Sequence, residues 1–285
     1  MKVIKDIKSL KIEIKQHKKA GKIIGLVPTM GAIHEGHLSL VKQIRKKADI
    51  VVATIFVNKK QFNNLTDFEK YPKNLQADIA SFKNAKVDIL FIPESREIYP
   101  DNFVTQIKLD KITNNLCGKT RPGHFDGVAL IIVKLFNIVT PDLAIFGEKD
   151  FQQLQIIRRL VSNLNIETKI IAAKIIREKS GLALSSRNLR LDKNAAKKAP
   201  LIHQILLKMK QQILAKKNLK LVIAESINEI TKSGFGTIDY LEICDEENLE
   251  PIKIFNKKII GKIKARIFIA VYLGQVRLID NISLY

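Results

Sequence analysis

A chain of 285 residues with 46% apolar residues is long enough for a sizeable core and two domains, and too apolar to be disordered. Its net charge of +21 invites a nucleic-acid partner, but the lysines are spread along the whole chain, aromatics are 6% and Trp is absent, so a solvated basic surface is the simpler reading and no nucleic-acid or membrane partner is expected. The longest apolar stretches, 128–139 and 267–273, are too short for a bilayer, the first residues lack an apolar signal region, and Cys117 and Cys244 are too few and too distant for a disulfide framework, which together fit a reducing cytoplasm.

Residues 3–20 read as a basic amphipathic helix or arm. A short apolar run at 23–27 reads as a strand. A polar turn follows, and then a segment of helical period with Leu38, Leu40, Val41, Ile44 and Ala48 apolar between basic residues. Residues 50–57 are β-branched enough for a buried strand. A helix is expected at 74–84, a third strand at 89–92 ended by Pro93, and a largely apolar helix at 125–139. A fourth strand at 143–146 ends at Gly147, Asp150 is placed to cap a helix over 151–163, and a fifth strand spans 166–171. This alternation predicts a parallel sheet with helices on both faces. The pattern changes near residue 175. Asp192 opens a long Lys- and Ala-rich helix reaching about 215, a second helix covers 219–232, and 237–244 alternates like a strand. Residues 265–273 and 276–279 read as a hairpin around Gly274-Gln275. The expected domains are an α/β domain over 1–175 and a smaller α+β domain over 176–285.

The turn is Pro28-Thr29-Met30-Gly31-Ala32-Ile33-His34-Glu35-Gly36-His37. Its two histidines sit where the helix begins, and a helix N-terminus suits an anion. Gly31 and Gly36 lack Cβ atoms, so a phosphate could approach the backbone closely. Three readings compete: two histidines of a polar turn, a metal pair, or the His-x-Gly-His element of nucleotidyl transferases, whose rings contact ATP phosphates. A helical zinc pair spaces its histidines i, i+4; here they are i, i+3. The strand before and the helix after are the context the third reading requires.

Other polar clusters fall at strand ends, where open α/β sheets bind ligands. The second strand runs into Asn58-Lys59-Lys60-Gln61-Phe62 and the fourth into Gly147-Glu148-Lys149-Asp150-Phe151-Gln152-Gln153. The fifth runs on into Arg177 and then Gly181-Leu182-Ala183-Leu184-Ser185-Ser186-Arg187-Asn188. Lys149 as a point cation and Arg187 as a fork could neutralise phosphate, though a loop lysine, surface glutamines and turn-capping serines are the ordinary fates of such residues. Gly118-Lys119-Thr120 lacks the upstream glycine and the leading strand of a P-loop.

Taken together, these stretches resemble the pantoate–β-alanine ligase family, within the nucleotidyl transferases that carry His-x-Gly-His. The matching segments are 28–37, Phe56-Val57-Asn58 with Gln61-Phe62, Tyr71-Pro72, Tyr99-Pro100, Leu116-Cys117-Gly118 with 121–125, 134–137, 146–153 and 181–188. They stand in family order and cover most of residues 22–190. The resemblance implies a Rossmann-like first domain that binds ATP and pantoate, a smaller second domain acting as a lid, and a homodimer. It implies Mg²⁺- and ATP-dependent joining of (R)-pantoate and β-alanine through a pantoyl adenylate, releasing AMP and pyrophosphate. By that resemblance Met30, Gly31, Ala32, Ile33, His34, Glu35, Gly36 and His37 bind ATP, with His37 as proton donor. Gly147, Glu148, Lys149, Asp150, Ile176, Leu184, Ser185, Ser186 and Arg187 complete the ATP set. Gln61 contacts pantoate and β-alanine, Gln153 contacts pantoate, and the metal ligands are left unassigned. Lys59 and Lys174 stand where the family usually has Pro, and Ser180 where it has Asp. Two rivals remain: another adenylyl transferase, acting on a nucleotide cofactor or tRNA, and a non-enzymatic nucleic-acid binder resting on charge alone.

Overall fold

A computed structural model describes residues 1–253 and 263–285. The chain forms two compact units, one of residues 1–109, 122–148 and 153–174, the other of residues 110–121, 149–152 and 175–285. Segments 110–121 and 149–152, expected in the first domain, belong to the second unit.

The first unit is built on a six-stranded sheet: β1 (Lys2–Ile4), β2 (Ile24–Thr29), β3 (Ile50–Ile55), β4 (Ile89–Phe91), β5 (Leu143–Gly147) and β6 (Lys169–Ala173). Their order is β1-β4-β3-β2-β5-β6, and every neighbouring pair is parallel. Alternate residues serve opposite faces. Val27, Val51, Ala53, Leu90 and Ile145 join a core with Leu40, Val41 and Ile44 of helix Glu35–Ile44 and Phe82 of helix Leu75–Asn84. The intervening Leu26, Val52, Ile89 and Ala144 are just as buried. Helices Ile7–Lys19 and His124–Val139, which pack together, supply apolar faces of their own, Leu10 and Ile14 from one and Val128, Ile132 and Leu135 from the other. A sheet buried on both sides explains strands that read as continuous apolar runs. The direction of strand addition reverses between β2 and β5, so the switch point lies at the carboxyl ends of those two strands.

The second unit packs helices Lys193–Lys198, Leu201–Leu214 and Leu219–Lys232 against an antiparallel sheet of β7 (Ile238–Asp245), β8 (Ala265–Leu273) and β9 (Val276–Ser283). Among the described residues no helix is long and apolar enough to cross a membrane.

Four elements differ most from expectation. The arm at 3–20 divides into edge strand β1 and a helix, because Ile4 buries against the sheet and the Asp6 carboxylate accepts the Ser9 N–H at 2.7 Å as a cap. The fifth strand of the alternation starts at Lys169 rather than 166, where the Lys169 N–H reaches the Asp142 carbonyl and pairing with β5 begins. The long helix from Asp192 breaks at Pro200, which has no N–H to continue the ladder. The last strand runs past 279 to Ser283 because it pairs with β8 along its whole length.

Candidate active site

At the end of β2 the chain turns through Gly31 (φ +85) and Ala32 (φ +51). A Cβ on Gly31 would stand 2.9 Å from an Asp78 carboxylate oxygen, so glycine is required by both backbone and space. Asp78 is only 4% exposed, and its two oxygens accept the N–H groups of Ala32 at 2.9 Å and Ile33 at 2.7 Å. It is a fixed clamp reaching the turn from helix Leu75–Asn84.

The histidines then cap the next helix on each other. His34, extended at φ −138°, accepts the Gly36 N–H on Nδ1 at 3.1 Å, and His37 accepts the His34 N–H on its own Nδ1 at 3.4 Å. This is a capping box made from two imidazoles. Because Nδ1 accepts in both rings, a neutral ring carries its hydrogen on Nε2. The rings lie 4.1 Å apart between centroids, tilted by 34°. The sequence suggested a phosphate on the backbone amides; the structure commits those of Ala32, Ile33, His34 and Gly36 within the protein.

The turn after β3 is a 3-10 segment, Lys59–Gln61. Asn58, 1% exposed, donates to the Gln61 side-chain oxygen and to the Gly127 carbonyl, both at 3.0 Å, and accepts the Tyr99 hydroxyl at 3.0 Å. Burial pushes the Tyr99 phenol up, so it stays a donor. Any side chain at Gly127 would strike the Lys60 carbonyl, so this glycine lets helix His124–Val139 seat the turn. The ring of His124 pairs with the Gln61 carbonyl at 2.6 Å. The Gln61 amide nitrogen points to the Met30 sulfur at 3.1 Å. Gly147 and Glu148 stand at the end of β5, and Gln153 is half-buried in the first turn of helix Phe151–Asn163. The first unit therefore brings Met30, His34, His37 and Gln61 to the β2 and β3 ends, with Gly147 ending β5 beyond the switch point.

Lys149, Asp150, Ile176, Leu184, Ser185, Ser186 and Arg187 belong to the second unit. Lys149 and Asp150 lie in a 3-10 turn, their charges 3.9 Å apart. The Lys149 carbonyl accepts the Asn281 amide at 3.0 Å. Ser185 caps the turn Ser186–Arg190 by accepting the Arg187 N–H at 3.2 Å, and Ile176 and Leu184 pair across a short loop at 3.0 Å. That loop is anchored by Arg177, which forks onto Asp280 at 2.6 and 2.8 Å and also donates to the Gly181 carbonyl at 3.0 Å.

Sequence reasoning missed Asp78, Asp280 and Asn281. A signal existed for the first. Leu75, Asp78, Ile79 and Phe82 share one helix face, so Asp78 is a carboxylate in an apolar stripe. Gly118-Lys119-Thr120 lies in the short helix Leu116–Thr120 with no strand leading into it.

Residues 2–283 match the family model described as pantoate-beta-alanine ligase. The chain is 43% identical over 281 residues to a pantothenate synthetase of Thermosipho africanus, covering 99% of both proteins. It is similar over its whole length to the crystal structure of pantothenate synthetase from Thermus thermophilus, with a TM-score of 0.91 at 36% identity and full coverage of both chains. A third relative is the pantoate-beta-alanine ligase of Francisella tularensis, crystallised with β,γ-ATP and β-alanine. It gives a TM-score of 0.83 at 37% identity, covering 100% of this chain and 98% of that one.

Proposed function

The chain belongs to the pantoate–β-alanine ligase family, and from that premise we propose how its residues perform the ATP-dependent condensation of pantoate with β-alanine. The carrying observation is the pair of adjacent, tilted imidazoles, each of which, when neutral, carries its ring hydrogen on Nε2 because the capping box takes Nδ1 as acceptor.

A carboxylate is a poor acyl donor because its oxygen leaves badly. The pantoate carboxylate attacks the α-phosphate of ATP in line, forming pantoyl adenylate and releasing pyrophosphate. The amine of β-alanine then attacks the acyl carbon, and AMP leaves. His34 and His37 donate to phosphate oxygens as charge grows on them, with His37 the proton donor. Lys149 and Arg187 neutralise the same charge, so catalysis is mainly positioning and electrostatics. Within Met30–His37 the contacts to ATP come chiefly from side chains; Gly147, Glu148, Asp150, Ile176, Leu184, Ser185 and Ser186 complete the nucleotide set. Gln61 holds pantoate and β-alanine: a thioether is a weak acceptor, and a substrate oxygen replaces the Met30 sulfur at its amide. Gln153 holds pantoate.

Mg²⁺ accompanies ATP and neutralises its phosphates. Such an ion keeps most of its coordination to phosphate and water. Among the described residues no three His, Cys, Asp or Glu side chains gather as a cage for it. The first unit serves as the ATP- and pantoate-binding domain and the second, which takes in 110–121 and 149–152, as a lid, the enzyme is a homodimer, and with Cys117 and Cys244 both free thiols it works in the reducing cytoplasm.

The test is AMP release with ATP, Mg²⁺ and (R)-pantoate, with and without β-alanine. AMP and pantothenate rising together only in the complete mixture is the expected result. ATP turnover indifferent to both acids, or none from folded protein, would return the chain to another adenylyl transferase.

A further inference from the structure

In the second unit a dipeptide on β9, Asp280-Asn281, is buried, at 5% and 2% exposed. The Asn281 side chain is held in one orientation. Arg266 donates to its oxygen at 2.6 Å, so the oxygen cannot exchange places with the amide nitrogen. That nitrogen then faces the Lys149 carbonyl at 3.0 Å. Arg266, 6% exposed, is itself fixed by Glu246 at 3.0 Å and by the Phe151 ring, 3.9 Å from its guanidinium carbon. The backbone of Asn281 is tied as well: its N–H reaches the Asp280 carboxylate at 2.7 Å, and that carboxylate receives the Arg177 fork.

Holding the Lys149 carbonyl constrains the peptide plane between Lys149 and Asp150, and so the backbone position from which the Lys149 side chain starts. The lysine side chain is 19% exposed and sits on a three-residue 3-10 turn, which has little hydrogen bonding of its own to set that position. We propose that Asn281 is a positioning residue for Lys149: it transmits the rigidity of the Arg266–Glu246–Phe151 stack to a cation that acts on the ATP phosphates. The proposal rests on the phosphate role given to Lys149 above. Asn281 touches no reacting atom; it acts only through that carbonyl.

The substitution Asn281→Asp keeps the acceptor for Arg266 and turns the amide donor into an oxygen that repels the Lys149 carbonyl. A double-mutant cycle with Lys149→Ala, read by pantoate-dependent ATP–pyrophosphate exchange, isolates the path. N281D alone is expected to slow exchange by about 10- to 100-fold, the scale of an ångström-sized misplacement. In the K149A background the same change is expected to cost less than about 2-fold, because the group it positions is gone. Equal factors in both backgrounds would overturn the positioning role while leaving Lys149 its own. Normal exchange by K149A would instead remove the phosphate role of Lys149, and the positioning with it. Should N281D fail to fold by circular dichroism, Asn281→Ala, which removes the amide donor to the Lys149 carbonyl, goes through the same cycle and is judged by the same two comparisons.

Discussion

The histidine turn of the first unit and the Lys149 turn of the second carry charge-handling groups for one proposed reaction, yet they are fixed in opposite ways. His34 and His37 are held mostly by neighbours two or three residues away, each ring capping the backbone of the other's turn. Lys149 is held across 132 residues by Asn281, and the loop leading to Arg187 across 103 residues by the Arg177–Asp280 fork. A short-range constraint forms with the helix it caps. A long-range one exists only after the sheet that carries it has formed, so breaking it tests that sheet's packing as well as the site.

Breaking the long-range side gives the largest expected effect. Arg177→Met leaves the Asp280 carboxylate, whose side chain is 4% exposed, without its guanidinium partner, and removal of one partner of a buried pair costs about 3–5 kcal/mol. A urea melt of the variant is expected to show that loss; a melt within error of wild type would mean the fork contributes nothing. Breaking the local side gives a catalytic loss of comparable size with little stability loss. His37→Gln keeps a side chain that can reach back to the cap N–H, but not the Nε2 hydrogen. ATP–pyrophosphate exchange is expected to fall about 10²–10³-fold while the melting temperature hardly moves. A large drop in melting temperature would show that the imidazole is chiefly structural.

Asp78 sharpens the contrast, being a distant residue that serves the local side. Asp78→Ala strands two amides and is expected to cost about 1–3 kcal/mol in the melt, together with a weakened apparent affinity for ATP. Unchanged ATP kinetics would show that the turn keeps its shape without the clamp. Tyr99→Phe removes one donor to Asn58 and is expected to cost about 1 kcal/mol, read as a several-fold rise in the pantoate KM if that network presents Gln61. The smallest effect concerns pH. Burial, and then Arg177, hold the His203 imidazole below its usual range against the opposing pull of Asp280. A base depressed in the fold contributes stability that is present above its unfolded pKa and is lost as pH falls through the folded value. The melting temperature is therefore expected to fall on acidification below about pH 6.5, and to fall less in His203→Gln. Equal slopes would exclude His203 as a source.

The same contrast explains what could be read in advance. The strand and helix order was visible because a sheet buried on both faces writes itself as apolar runs, and the histidine turn because its two glycines and two histidines fall within ten residues. Partners 103 and 132 residues apart leave no local trace, and Asp78, 46 residues from Ala32, shows only as a carboxylate in an apolar stripe. Where local signals competed, the weaker-looking one prevailed: Pro200 outweighed the Lys- and Ala-rich helix around it, and the single Ile4 drew the basic arm into the sheet. Segments 110–121 and 149–152 join the second unit through contacts such as the Cys117–Tyr240 hydrogen bond at 3.0 Å and the Phe151–Phe268 ring pair, which chain order alone did not suggest.

That weaving sets a timetable during synthesis. A ribosome releases Cys117 and Phe151 long before it makes Tyr240, Phe268 and Asn281. At about 5–20 residues per second the apolar ring of Phe151 and the thiol of Cys117 wait on the order of ten seconds for their partners. A cut at residue 174 would therefore not yield two folding pieces, since the C-terminal fragment would lack Phe151 beneath Arg266 and the thiol that meets Tyr240.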